Sequence, residues 1–189
     1  MKNLTTQCHD VCQTVLQRGD IAIDATAGNG HDTLFLARQV GPQGVVYSFD
    51  LQLSAIEATA KRVEQAGINN VTLLQEDHAC LQDFVLKKHR GRVAVVMFNL
   101  GYLPGGDKSL VTQEHSTLSA IKQSLELLRP EGLLTVLAYT GHAGGKEETN
   151  AVRHFLENLS DEYFKVTRMT AQKESLSPPQ LFVVRKSLL

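Results

Sequence analysis

Residues 20–32 read DIAIDATAGNGHD. A short apolar run ends in an acidic residue, Asp24, passes through a turn carrying Gly28 and Gly30, and enters residues 31–40, whose apolar positions recur with helical period. A buried strand that hands a glycine turn to the start of a helix is the opening unit of a parallel α/β sheet. The alternation continues. Residues 44–50, 71–75, 93–100 and 133–139 are near-continuously hydrophobic, as strands covered on both faces must be, and residues 54–66, 79–88, 112–128 and 147–159 carry helix-period patterns between them. Gly67 falls where a helix C-cap would, and Arg129-Pro130-Glu131-Gly132 reads as a helix stop and a turn. The rhythm breaks at residues 164–170 and 181–185, two strand-like runs with no room for a crossover helix between them, which must therefore pair antiparallel. With a leading helix over residues 5–17, the expected architecture is a single α/β domain over residues 1–189. It is a Rossmann-like, mostly parallel seven-stranded sheet ending in an antiparallel hairpin.

Composition bounds the partners. The 189 residues are 42% hydrophobic and 21% charged, with a net charge of −1, whereas a protein that coats nucleic acid indiscriminately is strongly basic. The near-zero total hides an asymmetry: residues 1–86 carry five Lys/Arg against ten Asp/Glu, and residues 87–189 carry fourteen against ten. A run of about 18 apolar residues, the length of a membrane span, is not present, and residues 1–19 lack a signal-peptide core, so no membrane partner and a cytoplasmic location are expected. Cys8, Cys12 and Cys80 form an odd, sparse set that suits reduced thiols. Cys8, His9 and Cys12 offer three ligands where structural zinc takes four, so they are read as ordinary helix positions and no metal is expected.

In an open parallel sheet, ligands bind beyond the carboxyl ends of the strands. At the first exit, Asp24, Thr26, Gly28 and Gly30 let backbone approach a ligand at a helix start, although Thr33 stands where a dinucleotide fingerprint needs its third glycine. Asp50, at the second exit, can accept from both hydroxyls of a ribose or instead cap the next helix, and Gln52 follows on the same rim. Asp77, at the third, can accept from an adenine amine with His78 at its edge, or cap a helix. The fourth exit, Asn99-Leu100-Gly101-Tyr102-Leu103-Pro104-Gly105-Gly106-Asp107-Lys108, is the most specific stretch. The Asn99 side chain and the Leu100 carbonyl can hold the hydrogens of an amine while Tyr102 stacks on a flat ring.

These ordered motifs resemble class I S-adenosylmethionine-dependent methyltransferases. Asn99-Leu-Gly-Tyr102 looks like a variant of the Asn/Asp-Pro-Pro-Tyr motif of amino-group methyltransferases, with Leu100 and Gly101 in place of the prolines. More narrowly, residues 25–37 and 99–108 resemble the small bacterial YtqB/MnmM family, once described as rRNA methylases, and the likeness spans nearly the whole chain. The resemblance implies S-adenosylmethionine as cofactor, held by Asn29, Asp32, Asp50, Gln52, Asp77 and His78. It also implies methylation of the aminomethyl group on a modified wobble uridine of tRNA, giving 5-methylaminomethyl-2-thiouridine.

A primary alkyl amine is mostly protonated at neutral pH, and Asp107, His142 and water are equal contenders to take its proton. Lys108, His142, Lys146 and Arg153 lie in or after loops at the same rim and can meet phosphates of a tRNA anticodon stem-loop. Lys87-Lys88-His89-Arg90 precedes a strand, at the opposite rim, and reads as solvated surface. Alternatives are methylation of rRNA or of a small-molecule amine, a non-catalytic cofactor- or RNA-binding module and, less favoured, an NAD-dependent oxidoreductase. No separate RNA-binding domain fits in this length, so substrate selection falls to the catalytic rim or to a partner subunit, with a homodimer allowed.

Overall fold

Strand β1 (Ile21–Asp24), buried along its whole length, is flanked by parallel strands on both sides. The computed structural model describes residues 3–103, 105, 111–170 and 178–188. The strands are β1, β2 (Val45–Phe49), β3 (Val71–Leu74), β4 (Val93–Leu100), β5 (Leu128–Ala138), β6 (Phe164–Thr170) and β7 (Gln180–Lys186), and they form one sheet in the order β3-β2-β1-β4-β5-β7-β6. β7 runs antiparallel to both neighbours and the remaining pairs are parallel. The order reverses between β1 and β4, so the crevice that such a reversal opens lies at the carboxyl ends of those two strands.

The helices are α1 (Leu4–Gln13), α2 (His31–Val40), α3 (Leu53–Gln65), α4 (Leu81–Phe84), α5 (Glu114–Leu127) and α6 (Gly145–Glu157). On one face of the sheet, α1 and α2 supply Leu4, Cys8, Cys12, Leu36 and Val40 to a core with Ala22, Val46 and Val95. On the other, α5 and α6 bury Ile121, Leu125, Val152 and Leu156 against Ile23, Phe49, Phe98 and Phe182. Cys8 and Cys12 are thus core residues, and the Cys12 thiol is pushed up by its hydrogen bond with Cys8 and then by burial.

Several element boundaries differ from expectation. The leading helix ends at Gln13 rather than at residue 17, because Thr14 turns its hydroxyl to the Val11 carbonyl and Gln17 N–H donates to Asp20 on the way into β1. The helix expected over residues 79–88 is a 3₁₀ turn (His78–Cys80), the single turn of α4, and a second 3₁₀ turn (Lys87–His89). That second turn is tied down by Tyr47 Oη, 2.8 Å from His89 Nδ1, so His89 is buried while Lys87, Lys88 and Arg90 are exposed. At the start of β5, Leu128 pairs with Val93 and Leu133 with Val95. Arg129–Gly132 therefore bulge out of the ladder, with Glu131 at φ 62°, and the turn read there is real but lies inside the strand.

Candidate active site

Residues from five strand exits enclose a cavity of about 810 Å³, in the upper part of the range usual for small-molecule sites. Its wall includes Thr26, Gly28, Asn29 and Asp32 after β1, Asp50 and Gln52 after β2, Asp77 and His78 after β3, Asn99 to Leu103 at and after β4, and Tyr139 and His142 after β5.

The β1 exit is built by hydrogen bonds from buried groups. Asp24 is fully buried behind the turn and does not line the cavity. It accepts from Thr26 N–H at 3.1 Å and from Thr33 Oγ1 at 2.5 Å, and Thr33 Oγ1 lies 2.8 Å from Ser48 Oγ. Burial, then the charge of Asp32, pushes the Asp24 carboxyl up to about 7. Its place is beneath the ligand-facing loop, which corrects its reading as a direct ligand-binding residue. Gly30, also behind the wall, sits at φ 77° with Thr59 of α3 so close that a Cβ would come within 2.9 Å of the Thr59 Cα. Gly28, at φ 53°, donates its N–H to Asp50 Oδ2 at 2.9 Å.

Asp50 also accepts from Gln52 N–H at 2.9 Å. Gln52 occupies the N-cap of α3 without a side-chain bond, so Asp50 is not the cap. Each of its oxygens keeps a second lone pair, enough for two ribose hydroxyls. Asp77 caps the 3₁₀ turn, accepting from Ala79 N–H at 2.8 Å, and also lines the cavity. His78 places Nδ1 3.0 Å from the Ala25 carbonyl; a carbonyl accepts, so Nδ1 carries the proton. Nε2 is then a bare acceptor, buried and with no partner, on the cavity wall.

Asn99 closes the other side. Its N–H donates to Thr26 Oγ1 at 2.8 Å, which locks the end of β4 to the β1 turn, and its Nδ2 lies 3.5 Å from Asp32 Oδ2. The Leu100 carbonyl accepts from Tyr139 N–H at 3.3 Å, and its side chain is buried. Tyr102, 42% exposed, pairs with Val111 in an isolated bridge and meets His142 edge to face at 6.5 Å. His142 Nδ1 lies 3.0 Å from the Ala143 carbonyl. Lys146 is exposed at the start of α6, off the cavity wall. Asp107 and Lys108 lie outside the described residues.

Sequence reasoning misses three contributors. His9, on α1, lies 2.6 Å from Asp32 Oδ1. Arg62, on α3, donates to the Asn29 carbonyl at 2.6 Å and holds the glycine turn from outside. Glu148, 2% exposed, accepts from Thr112 and Thr117 and staples the segment after the β4 loop to α6. In the sequence the first stands out only as a metal ligand; the other two leave no local signal.

The order of strands, the glycine turn beside two carboxylates, the bare His78 acceptor and the Asn99 wall define a class I methyltransferase. Residues 46–185 match the family model described as "Putative rRNA methylase", and the chain belongs to that family. It is similar to a chloroplastic "tRNA (mnm(5)s(2)U34)-methyltransferase" of Arabidopsis thaliana, 37% identical over 98% of this chain and 70% of that one. Among solved structures it resembles a protein from Clostridium thermocellum described as a "putative rRNA-methylase", with TM-score 0.93 and 37% identity over 98% of both chains. A protein from Streptococcus mutans described as "a putative methyltransferase", in complex with SAH, gives TM-score 0.88 and 36% identity over 98% of this chain and 99% of that one.

Proposed function

We propose that the protein transfers a methyl group from S-adenosylmethionine to the aminomethyl nitrogen of 5-aminomethyl-2-thiouridine at the tRNA wobble position, giving 5-methylaminomethyl-2-thiouridine. The observation that carries this reading is the Asn99 carboxamide, locked by its own backbone to the β1 turn and set on the wall of a cavity rimmed by Tyr102 and His142. The Arabidopsis relative, similar over 98% of this chain, is named for that nucleoside.

The residues present suit the cofactor. Asp50 has lone pairs for a ribose, and His78 Nε2 and Asp77 offer acceptors to an adenine amine. Asp32 can take the methionine ammonium, and the glycine turn allows close approach. When bound, S-adenosylmethionine supplies an electrophilic methyl on a sulfonium. The chain's own task is positioning, an effect that can supply about 7–11 kcal/mol. Asn99 accepts from the amine and aims its lone pair, Tyr102 lies along the base, and the wobble nucleotide reaches the rim from a tRNA anticodon stem-loop. Among the described residues His142, beside Tyr102 on the cavity wall, can take the proton, as can bulk water.

Nucleoside mass spectrometry of bulk tRNA from a deletion strain tests this. The expected result is accumulation of the unmethylated aminomethyl nucleoside and loss of its methylated form. An unchanged profile overturns the proposal and turns attention to rRNA.

A further inference from the structure

The Asp32 carboxylate, at the start of α2, is held from two sides by residues distant in sequence. His9 Nε2 of α1 lies 2.6 Å from Oδ1, and Asn99 Nδ2 of β4 lies 3.5 Å from Oδ2. The Asp32 side chain is only 10% exposed, and a carboxylate so placed needs donors in place of lost water. Facing a carboxylate, the His9 ring nitrogen is the donor. The ring is itself fixed, stacked on Phe35 of α2 with centroids 3.9 Å apart and planes within 1°. His9 is therefore held by one residue of α2 so as to hold another.

The consequence reaches Asn99. An amide has a donor end and an acceptor end, and a carboxylate beside it accepts from the first and repels the second. Asp32 thus turns Nδ2 toward itself and leaves Oδ1 as the acceptor end for a ligand amine. That step requires Asp32 to keep its oxygens in place, and His9 supplies the restraint on the far oxygen. We propose that His9 is a positioning residue of the methyl transfer, fixing the Asp32 carboxylate and, through it, the orientation of the Asn99 amide. The link to Asn99 rests on the reading of that residue as the acceptor for the substrate amine.

Two variants separate the hydrogen bond from the stacking. His9→Phe keeps a ring on Phe35 and loses the donor; His9→Gln loses the ring and restores a donor. Each is measured by calorimetry with S-adenosylhomocysteine in the absence of RNA, and by single-turnover methylation of tRNA carrying the aminomethyl nucleoside at saturating S-adenosylmethionine, with the melting temperature as control. The expected result for His9→Phe is a loss of roughly tenfold in both affinity and rate, with a melting temperature lowered by about 3–10 °C and the protein still folded at the assay temperature, and for His9→Gln a recovery of both affinity and rate. An affinity or a rate left unchanged by His9→Phe overturns the proposal, as does a His9→Gln protein no better than His9→Phe. If the wild type transfers no methyl to tRNA, the substrate reading fails, while the three S-adenosylhomocysteine affinities still decide the link between His9 and Asp32.

Discussion

Asp24 shows how a residue can be correctly singled out and wrongly placed. An acidic residue at the end of a buried strand is visible in the sequence, but its side chain turns under the glycine loop, where it organises Thr26 and Thr33 instead of meeting a ligand. Burial, then Asp32, raises its carboxyl from 3.8 to about 7. The folded state therefore holds this proton more tightly than the unfolded chain does. The stabilisation it contributes is full below about pH 4 and is lost as the pH rises toward 7, where the buried group ionises. Asp24→Asn removes that dependence. The melting temperature of the variant minus that of the wild type is expected to rise between pH 5 and pH 8, and a difference that stays flat across this range contradicts the assignment. Asp50, Asp77 and His78, which line the cavity, were legible as candidates because they lie a few residues at most beyond apolar strands. His9 was not, because a hydrogen bond across 23 residues between two helices leaves no spacing to read.

At the scale of elements, the strands other than β5 were legible to within about two residues, and α1 and α4 were where the helix ends departed most. Continuous apolar runs such as Val93–Leu100 have one use in a doubly covered sheet. Helix limits depend on caps that tertiary packing supplies. The helix expected from residue 112 starts at Glu114 because Thr112 is engaged elsewhere, its hydroxyl on Glu148 at 2.8 Å. Glu148 also receives Thr117 Oγ1 at 2.7 Å, and Thr117 and Glu148 are both buried. Removing the carboxylate leaves two hydroxyls without their acceptor, and hydrogen bonds to charged groups are worth about 1.5–3 kcal/mol each. Thr112, only half-buried, can turn its hydroxyl to water, so Glu148→Ala is expected to destabilise the protein by about 2–4 kcal/mol in urea unfolding with little change in slope. A loss under about 0.5 kcal/mol shows that the staple between α5, α6 and the loop contributes nothing to stability.

Over the whole molecule, the two halves of the chain divide the site between them. Asp32, Asp50 and Asp77 from the acidic half line the cavity beside the glycine turn, and the later half brings Asn99, Tyr102, Tyr139 and His142, with Lys146 exposed just beyond. No described helix is long and apolar enough to cross a membrane. If phosphates of the stem-loop meet this rim, Lys108→Ala with Lys146→Ala is expected to weaken tRNA binding and to flatten the plot of log affinity against log salt by about 0.7–0.9 for each phosphate no longer neutralised. An unchanged affinity and slope means that tRNA approaches by another face, with Lys87, Lys88 and Arg90 on the opposite rim the next to replace. From the sequence alone came the parallel sheet with its antiparallel end, the strand exits as the place of the cavity, and most of the side chains that line it, because burial periodicity and glycine turns are local properties. Only the tertiary structure decided which of those side chains face the cavity, that Asp24 and Gly30 stand behind it, and that His9, Arg62 and Glu148 hold it in shape. Those outcomes depend on which distant elements pack side by side, and hydrophobic patterning specifies that an element is buried without specifying against what.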